Sequence, residues 1–208
     1  MRFLRYAVIV LVVSSGLYAQ ESSKGQTSDL LGSLTEAHIY RNSVLGMTLT
    51  LPGTWELLPG TAKKAASDPS CRGPLCGGPE IDVALQTKSG ADTLYRVFLA
   101  GYKLSPSYQD RKRYPLQRFA QIMLVGSIQG SGLIPIGPQE AIRLDGVPAY
   151  RLLAGHPNDE IPRAAGYVAG ANGYIFMLVV ASPSNPAPVK AAIEKMALHS
   201  AVDTNANR

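Results

Sequence analysis

Hydrophobic and polar positions alternate with a period of two through much of this chain, as they do in strands with one covered and one wet face. Met47, Leu49 and Leu51 face one way, and Thr48 and Thr50 the other. With Tyr40 and Arg41 before it and a turn over Asn42 to Gly46, the stretch reads as a hairpin stopped by Pro52 and Gly53. Trp55, the only tryptophan, follows that stop and is suited to closing one end of a core. Ile81, Val83 and Leu85 alternate with Asp82 and Gln86, which predicts another strand with one wet face. Leu94 to Tyr102 differs: Leu94, Phe98 and Ala100 fall on one side and Tyr95, Val97 and Leu99 on the other, so it is expected to be covered on both. Tyr174 to Ala181 is apolar on both sides and is expected inside the sheet, beside a small, glycine-rich neighbour, Ala164 to Gly170, that leaves room for something bulky. Asp145-Gly146 and Asn172-Gly173 are tight-turn signals joining strands in the second half.

Helical spacing occurs in two places. Leu116, Phe119, Ala120 and Met123 share a face in Tyr114 to Val125, with Pro115 at the entry and Gly126 at the exit. Val189, Ala192, Ile193 and Met196 form a second stripe after Ser184 or Asn185 as cap and Pro186 at the start. Asp29 is placed to cap a short helix using Leu30, Leu31 and Leu34. Helices together with a largely antiparallel sheet buried on both faces predict the α+β class, as an α/β/α sandwich covered by helices on both sides.

The chain of 208 residues suits one domain with a real core. Residues 1–19 read as an export signal: Arg2 and Arg5 supply charge, Ala7 to Val13 is an unbroken apolar run, and Ser14 to Ala19 is small and neutral, so cleavage is expected after Ala19. Residues 20–38 read as a flexible lead with the short helix, 39–200 as the domain and 201–208 as a disordered tail. The apolar run is too short for a transmembrane span, which needs about 20 residues. The reading is therefore of an exported protein, periplasmic or extracellular. Losing Arg2 and Arg5 from a formal charge of +5 leaves the mature chain only mildly basic, short of a nucleic-acid binder's footprint. Cys71 and Cys76 enclose a short Gly/Pro-containing stretch within a long loop, Thr61 to Glu80. In an exported chain this pair reads most simply as a disulfide, ahead of a metal site or a redox dithiol.

The order Tyr40, Asn42, Gly46, a Thr/Leu alternation, Pro52 and Trp55, followed by Asp145-Gly146-Val147-Pro148-Ala149, the Asn172-Gly173 hairpin and a closing helix, resembles the PsbP-like family. The resemblance runs from about Ile39 to Ser200 and rests on residues that dictate backbone geometry or fill space. It implies an α/β/α sandwich and a role in binding or assembly rather than catalysis. It carries no ligand-binding residue onto a position of this chain, and the cysteine loop departs from it.

Chemistry is sparse. No GxSxG, P-loop or dinucleotide fingerprint is present, and no cofactor is implied. The loop His156 to Glu160 gathers an imidazole and the carboxylates of Asp159 and Glu160, the best candidate for a weak metal or acid/base site, with Pro157 breaking any helical array. The segment Tyr102 to Arg118 carries more: Lys103, Arg111, Lys112, Arg113 and Arg118 interleave with Tyr102, Tyr108 and Tyr114, a mixture suited to an anionic surface or an acidic envelope protein. The expected function is a non-catalytic binding or assembly module of the envelope or the cell exterior. The alternatives are a metal-assisted or hydrolytic enzyme centred on His156, Asp159 and Glu160, and a carrier of a small apolar ligand beside Tyr174 to Ala181.

Overall fold

The computed structural model describes residues 30–58, 78–88, 90, 94–110 and 112–198. The export signal, the polar lead through Asp29, the Cys71 and Cys76 pair, Arg111 and the tail lie outside the described residues.

In chain order the elements are β1 (Ser33–Thr35), β2 (Ile39–Asn42), β3 (Met47–Thr50), β4 (Trp55–Leu58), β5 (Ile81–Thr87), β6 (Arg96–Lys103), a single 3-10 turn (Pro106–Tyr108) and α1 (Leu116–Gly130). There follow β7 (Ile134–Leu144), β8 (Val147–Gly155), β9 (Ala164–Ala171), β10 (Tyr174–Ala181), α2 (Ala187–Glu194) and β11 (Ala197–Leu198). The strands form a seven-stranded sheet in the order β4-β5-β6-β10-β9-β8-β7 and a four-stranded sheet in the order β1-β2-β3-β11. Every pairing is antiparallel.

The expected α/β/α sandwich with helices on both faces is not what forms. One face of the large sheet is covered by the small sheet together with α2, and only the other by the long helix α1. Leu45, Met47 and Leu49 of the first hairpin, with Val189 and Ile193 of α2, pack against Val83, Leu99, Tyr167, Phe176 and Leu178 of the large sheet. Two apolar strand faces bury as much as a strand face and a helix stripe, so the alternation specified burial without specifying the kind of layer. Leu34 belongs to β1 rather than to a helix, and only Leu30 and Leu31 are helical among the described residues of that stretch. The helix α1 runs past Gly126, its expected exit, to Gly130.

Local polar groups fix the first hairpin. Asn42 is buried yet satisfied: Nδ2 donates to Leu30 O at 2.9 Å and to Tyr40 Oη at 3.2 Å, and Oδ1 accepts from Leu45 N at 3.0 Å. Tyr40 in turn donates to Leu31 O at 2.9 Å, and burial pushes its phenol up to about 12. Gly32 is required beneath this clamp: its φ is +67°, and a Cβ there would lie 2.3 Å from Arg41 O. Trp55 is 2% exposed, donates from Nε1 to Pro52 O at 2.8 Å and stacks on Tyr95 with ring centroids 6.4 Å apart. It closes the core where the sequence placed it. The two tight turns also form as expected, with positive φ at Asp145 and Gly146 and at Asn172 and Gly173.

On the small-sheet face, Glu140, Arg151 and Tyr167 lie side by side across β7, β8 and β9. Arg151 bonds both Glu140 and, from α2, Glu194. Tyr167 Oη donates to Glu194 Oε1 at 3.2 Å, and Lys190 Nζ lies 3.1 Å from the same oxygen. Burial pushes the Glu194 carboxyl up, but the hydrogen bonds from Arg151 and Lys190 outweigh it and hold the group below its ordinary value of 4.5.

Two outcomes follow. Trp55→Ala removes a fully packed indole and is expected to lower unfolding free energy by about 3–5 kcal/mol in urea titrations. Glu194→Gln is expected to cost about 0.5–1 kcal/mol at neutral pH, the scale of partly exposed ion pairs. Because the folded-state value is depressed, that contribution is present above the ordinary carboxylate range and is lost as pH falls through it. Denaturation midpoints of the two proteins should therefore converge on acidification.

Candidate functional site

In the loop between β8 and β9, His156 to Glu160, the Asp159 side chain is engaged by its neighbours. Asp159 Oδ2 accepts from His156 N at 2.8 Å and from Arg163 Nε at 3.2 Å. Arg163 also donates to Pro183 O and Ser184 O, tying this loop to the connection between β10 and α2. The hydrogen bond from Arg163 and the backbone bond from His156 hold the Asp159 carboxyl below its ordinary value. A carboxylate already committed in this way is poorly placed to serve as ligand or base. Among the described residues no group of three or more His, Cys, Asp or Glu side chains is placed to hold a metal ion.

The room beside β10 is filled by the protein itself. Gly166 of β9 faces α1, where a Cβ would meet Leu124 Cδ2 at 2.6 Å, so the glycine-rich strand admits the helix rather than a ligand. On the opposite face Ala165 and Ala169 lie under the small-sheet core with Tyr167.

The basic segment is brought together on one rim of the large sheet. Lys103 ends β6, and the chain then crosses the end of the sheet to reach α1. Leu104 N donates to Gly173 O at 3.1 Å, docking the crossing on the β9–β10 turn, and Gln109 Nε2 donates to Leu104 O at 3.1 Å. Asp110 organises the next turn: Oδ1 accepts from Lys112 N at 2.9 Å and its carbonyl accepts from Tyr114 N at 2.8 Å. Tyr108 and Tyr114 sit ring against ring at 4.7 Å between centroids, and the Arg113 guanidinium carbon lies 5.5 Å from the Tyr114 centroid. Lys103, Lys112, Arg113 and Arg118 are all exposed. Among the described residues none of these four forms an ion pair. The helix beyond them has Pro115 as N-cap, without a side-chain cap bond and without an acidic residue in its first turn. Positive side chains thus stand at the positive end of a helix, an arrangement that an anion stabilises.

A second feature adjoins this rim. The helix α1 packs over β7, β8, β9 and β10. On the same face of β5, β6 and β10, Ala84, Phe98, Ala100 and Val179 belong to neither buried core, and Phe98 is 37% exposed. The expectation that β6 is covered on both sides is corrected accordingly. The alternation in β5 carried the signal: Asp82 lies opposite Ala100 and Ala84 opposite Phe98, so the wet face of β5 continues across β6. Tyr102 shares this face. Desolvation raises both the Asp82 carboxyl and the Tyr102 phenol, and the Asp82 charge adds to the effect at Tyr102.

No family model matches the chain, and no curated protein matches it. Among solved structures it is similar to LpqN, described as involved in cell envelope biogenesis of Mycobacterium tuberculosis, with 17% sequence identity and a TM-score of 0.42 over 73% of this chain and 82% of that one. That likeness is too distant to bear on function. Among the described residues no helix is long and apolar enough to cross a membrane.

The desolvated carboxylate yields a signed expectation. With its folded-state value raised, Asp82 makes stability fall as pH rises from its ordinary value of 3.8 through the raised one, and the penalty persists above that. Asp82→Asn should therefore raise the thermal midpoint at pH 7, and the gain should vanish once pH drops below the ordinary carboxylate range. A midpoint lowered at pH 7 would show that the carboxylate is stabilised in the fold instead.

Proposed function

We propose that this chain is an exported, non-catalytic binding module that docks an acidic surface of an envelope partner through the rim at Lys103, Lys112, Arg113 and Arg118. The observation that carries the reading is the state of those four cations. They are exposed and free of ion pairs among the described residues; Lys112 and Arg113 stand on a crossing whose backbone is tied down by Gly173, Gln109 and Asp110, with Lys103 before it in β6 and Arg118 after it in α1. Neighbouring exposed cations repel one another, and an anionic partner that approaches them recovers that cost. The Tyr108 and Tyr114 rings add flat contact area at low entropic cost, which is how aromatic residues serve at interfaces. Export is supported by the ordered charge, apolar run and small residues of Met1 to Ala19.

The test is crosslinking in the living envelope with the mature chain as bait, comparing wild type with the Lys112→Glu, Arg113→Glu double variant. Partner yield should drop by about tenfold, the scale of lost charge complementarity, while the thermal midpoint stays unchanged because both side chains are exposed. Equal yield from both proteins would remove the rim from the function.

A further inference from the structure

Asn172-Gly173 is the one Asn-Gly pair in the chain. Both residues are exposed at the tip of the β9–β10 turn, with φ of +49° and +78°. The side-chain carbonyl carbon of an asparagine can be attacked by the amide nitrogen of the next residue, and a glycine there has no side chain to obstruct the approach. The other described asparagines differ. Asn42 is buried, has both ends of its amide bonded and is followed by Ser43. Asn158 is exposed, but the nitrogen that would attack it, Asp159 N, already donates to His156 O at 3.1 Å. Asn185 precedes Pro186, whose nitrogen has no proton to give up.

The pair also joins separate parts of the fold. Asn172 Nδ2 donates to Val44 O at 3.1 Å, in the turn between β2 and β3 of the small sheet. Gly173 O accepts from Leu104 N at 3.1 Å, where the basic crossing docks.

We propose that Asn172 is a site of spontaneous deamidation that unfastens the small sheet from the β9–β10 turn. The Gly173 nitrogen gives up its proton and bonds to Cγ of Asn172, closing a succinimide, and the side-chain nitrogen leaves with a proton as ammonia. Water then opens the ring at either carbonyl. One opening gives aspartate in an unchanged backbone, and the other gives isoaspartate, whose backbone is one methylene longer. Both products put a carboxylate where an amide donor faced the Val44 carbonyl, and a carboxylate has no proton to share with that oxygen. Only isoaspartate also displaces Gly173, and with it the acceptor of Leu104 N. The site is independent of what the rim binds.

The test is to age the folded, full mature chain at mildly alkaline pH and map its peptides by mass spectrometry. Conversion should occur at Asn172 ahead of Asn42 and Asn158, and Asn172→Gln should abolish it at that position, because the longer side chain closes its ring far more slowly. An Asn172 amide that stays intact, or that converts after Asn158, would overturn the proposal. Asn172→Asp makes one product directly. It should lower the thermal midpoint at pH 7 by about 2–4 °C, the scale of one hydrogen bond in a chain of this size. That deficit should shrink as pH falls through the carboxylate range, where the acid regains a proton to donate. A midpoint equal to that of wild type at pH 7 would sink the unfastening. Hydrogen exchange at the Leu104 amide should quicken about fivefold in the isoaspartyl form, again the scale of one bond, and stay unchanged in Asn172→Asp. Unchanged exchange in both would show that the modification does not reach the crossing, against the proposed displacement of Gly173.

Discussion

Burial of β10 on both faces is the constraint from which the rest of the architecture follows. Its register places Phe176 and Leu178 toward the small sheet and Ile175 toward α1, and all three are buried. A strand with two apolar faces at the centre of a sheet needs two covering layers. The chain supplies them unequally. The small sheet and α2 cover one face from β4 across to β7, while α1 packs on the other over β7, β8, β9 and β10.

Close packing on β9 shows how the layers are held at different depths. Gly166 lets α1 sink until Leu124 touches the strand, while one residue on, Tyr167 stands up on the opposite face toward α2. A helix drawn in this far fixes the position of its own N-terminus, and with it the crossing from Lys103 to Pro115. The rim is thus placed by core packing at one end and by the β9–β10 turn at the other. Its charged side chains remain in water while its backbone is committed. That combination favours recognition, because little ordering entropy is left to lose on contact.

Much of this was legible in the residues and some of it was not. The strands Met47–Thr50, Ile81–Thr87 and Tyr174–Ala181 and the turns at Asp145 and Asn172 follow from period-two alternation and from residues that accept positive φ. The identity of the second layer did not follow, because β1 and β11 are only three and two residues long and leave no periodic trace. Leu34 therefore counts equally well toward a helix stripe. The open half-face was written in Asp82 and Gln86, but the apolar count of Leu94 to Tyr102 hid it, since Phe98 and Ala100 give no sign in one dimension that nothing described lies above them. The basic, tyrosine-rich segment Tyr102 to Arg118 was visible as composition. Its docking on the β9–β10 turn was not, because the bond from Leu104 to Gly173 joins positions far apart in the chain.

Charge placement follows the same asymmetry. Where the sheet is fully covered, ionised groups occur at the seam in a bonded set, with Arg151 between Glu140 and Glu194 and with Tyr167 completing it. Desolvation makes an isolated charge too costly there. Where α1 does not reach, Asp82 is exposed on the sheet, with its carboxyl raised by desolvation and no opposing charge contributing to its shift. The covered seam and the wet face thus accommodate ionised groups in different ways, by bonding at Arg151 and by exposure at Asp82.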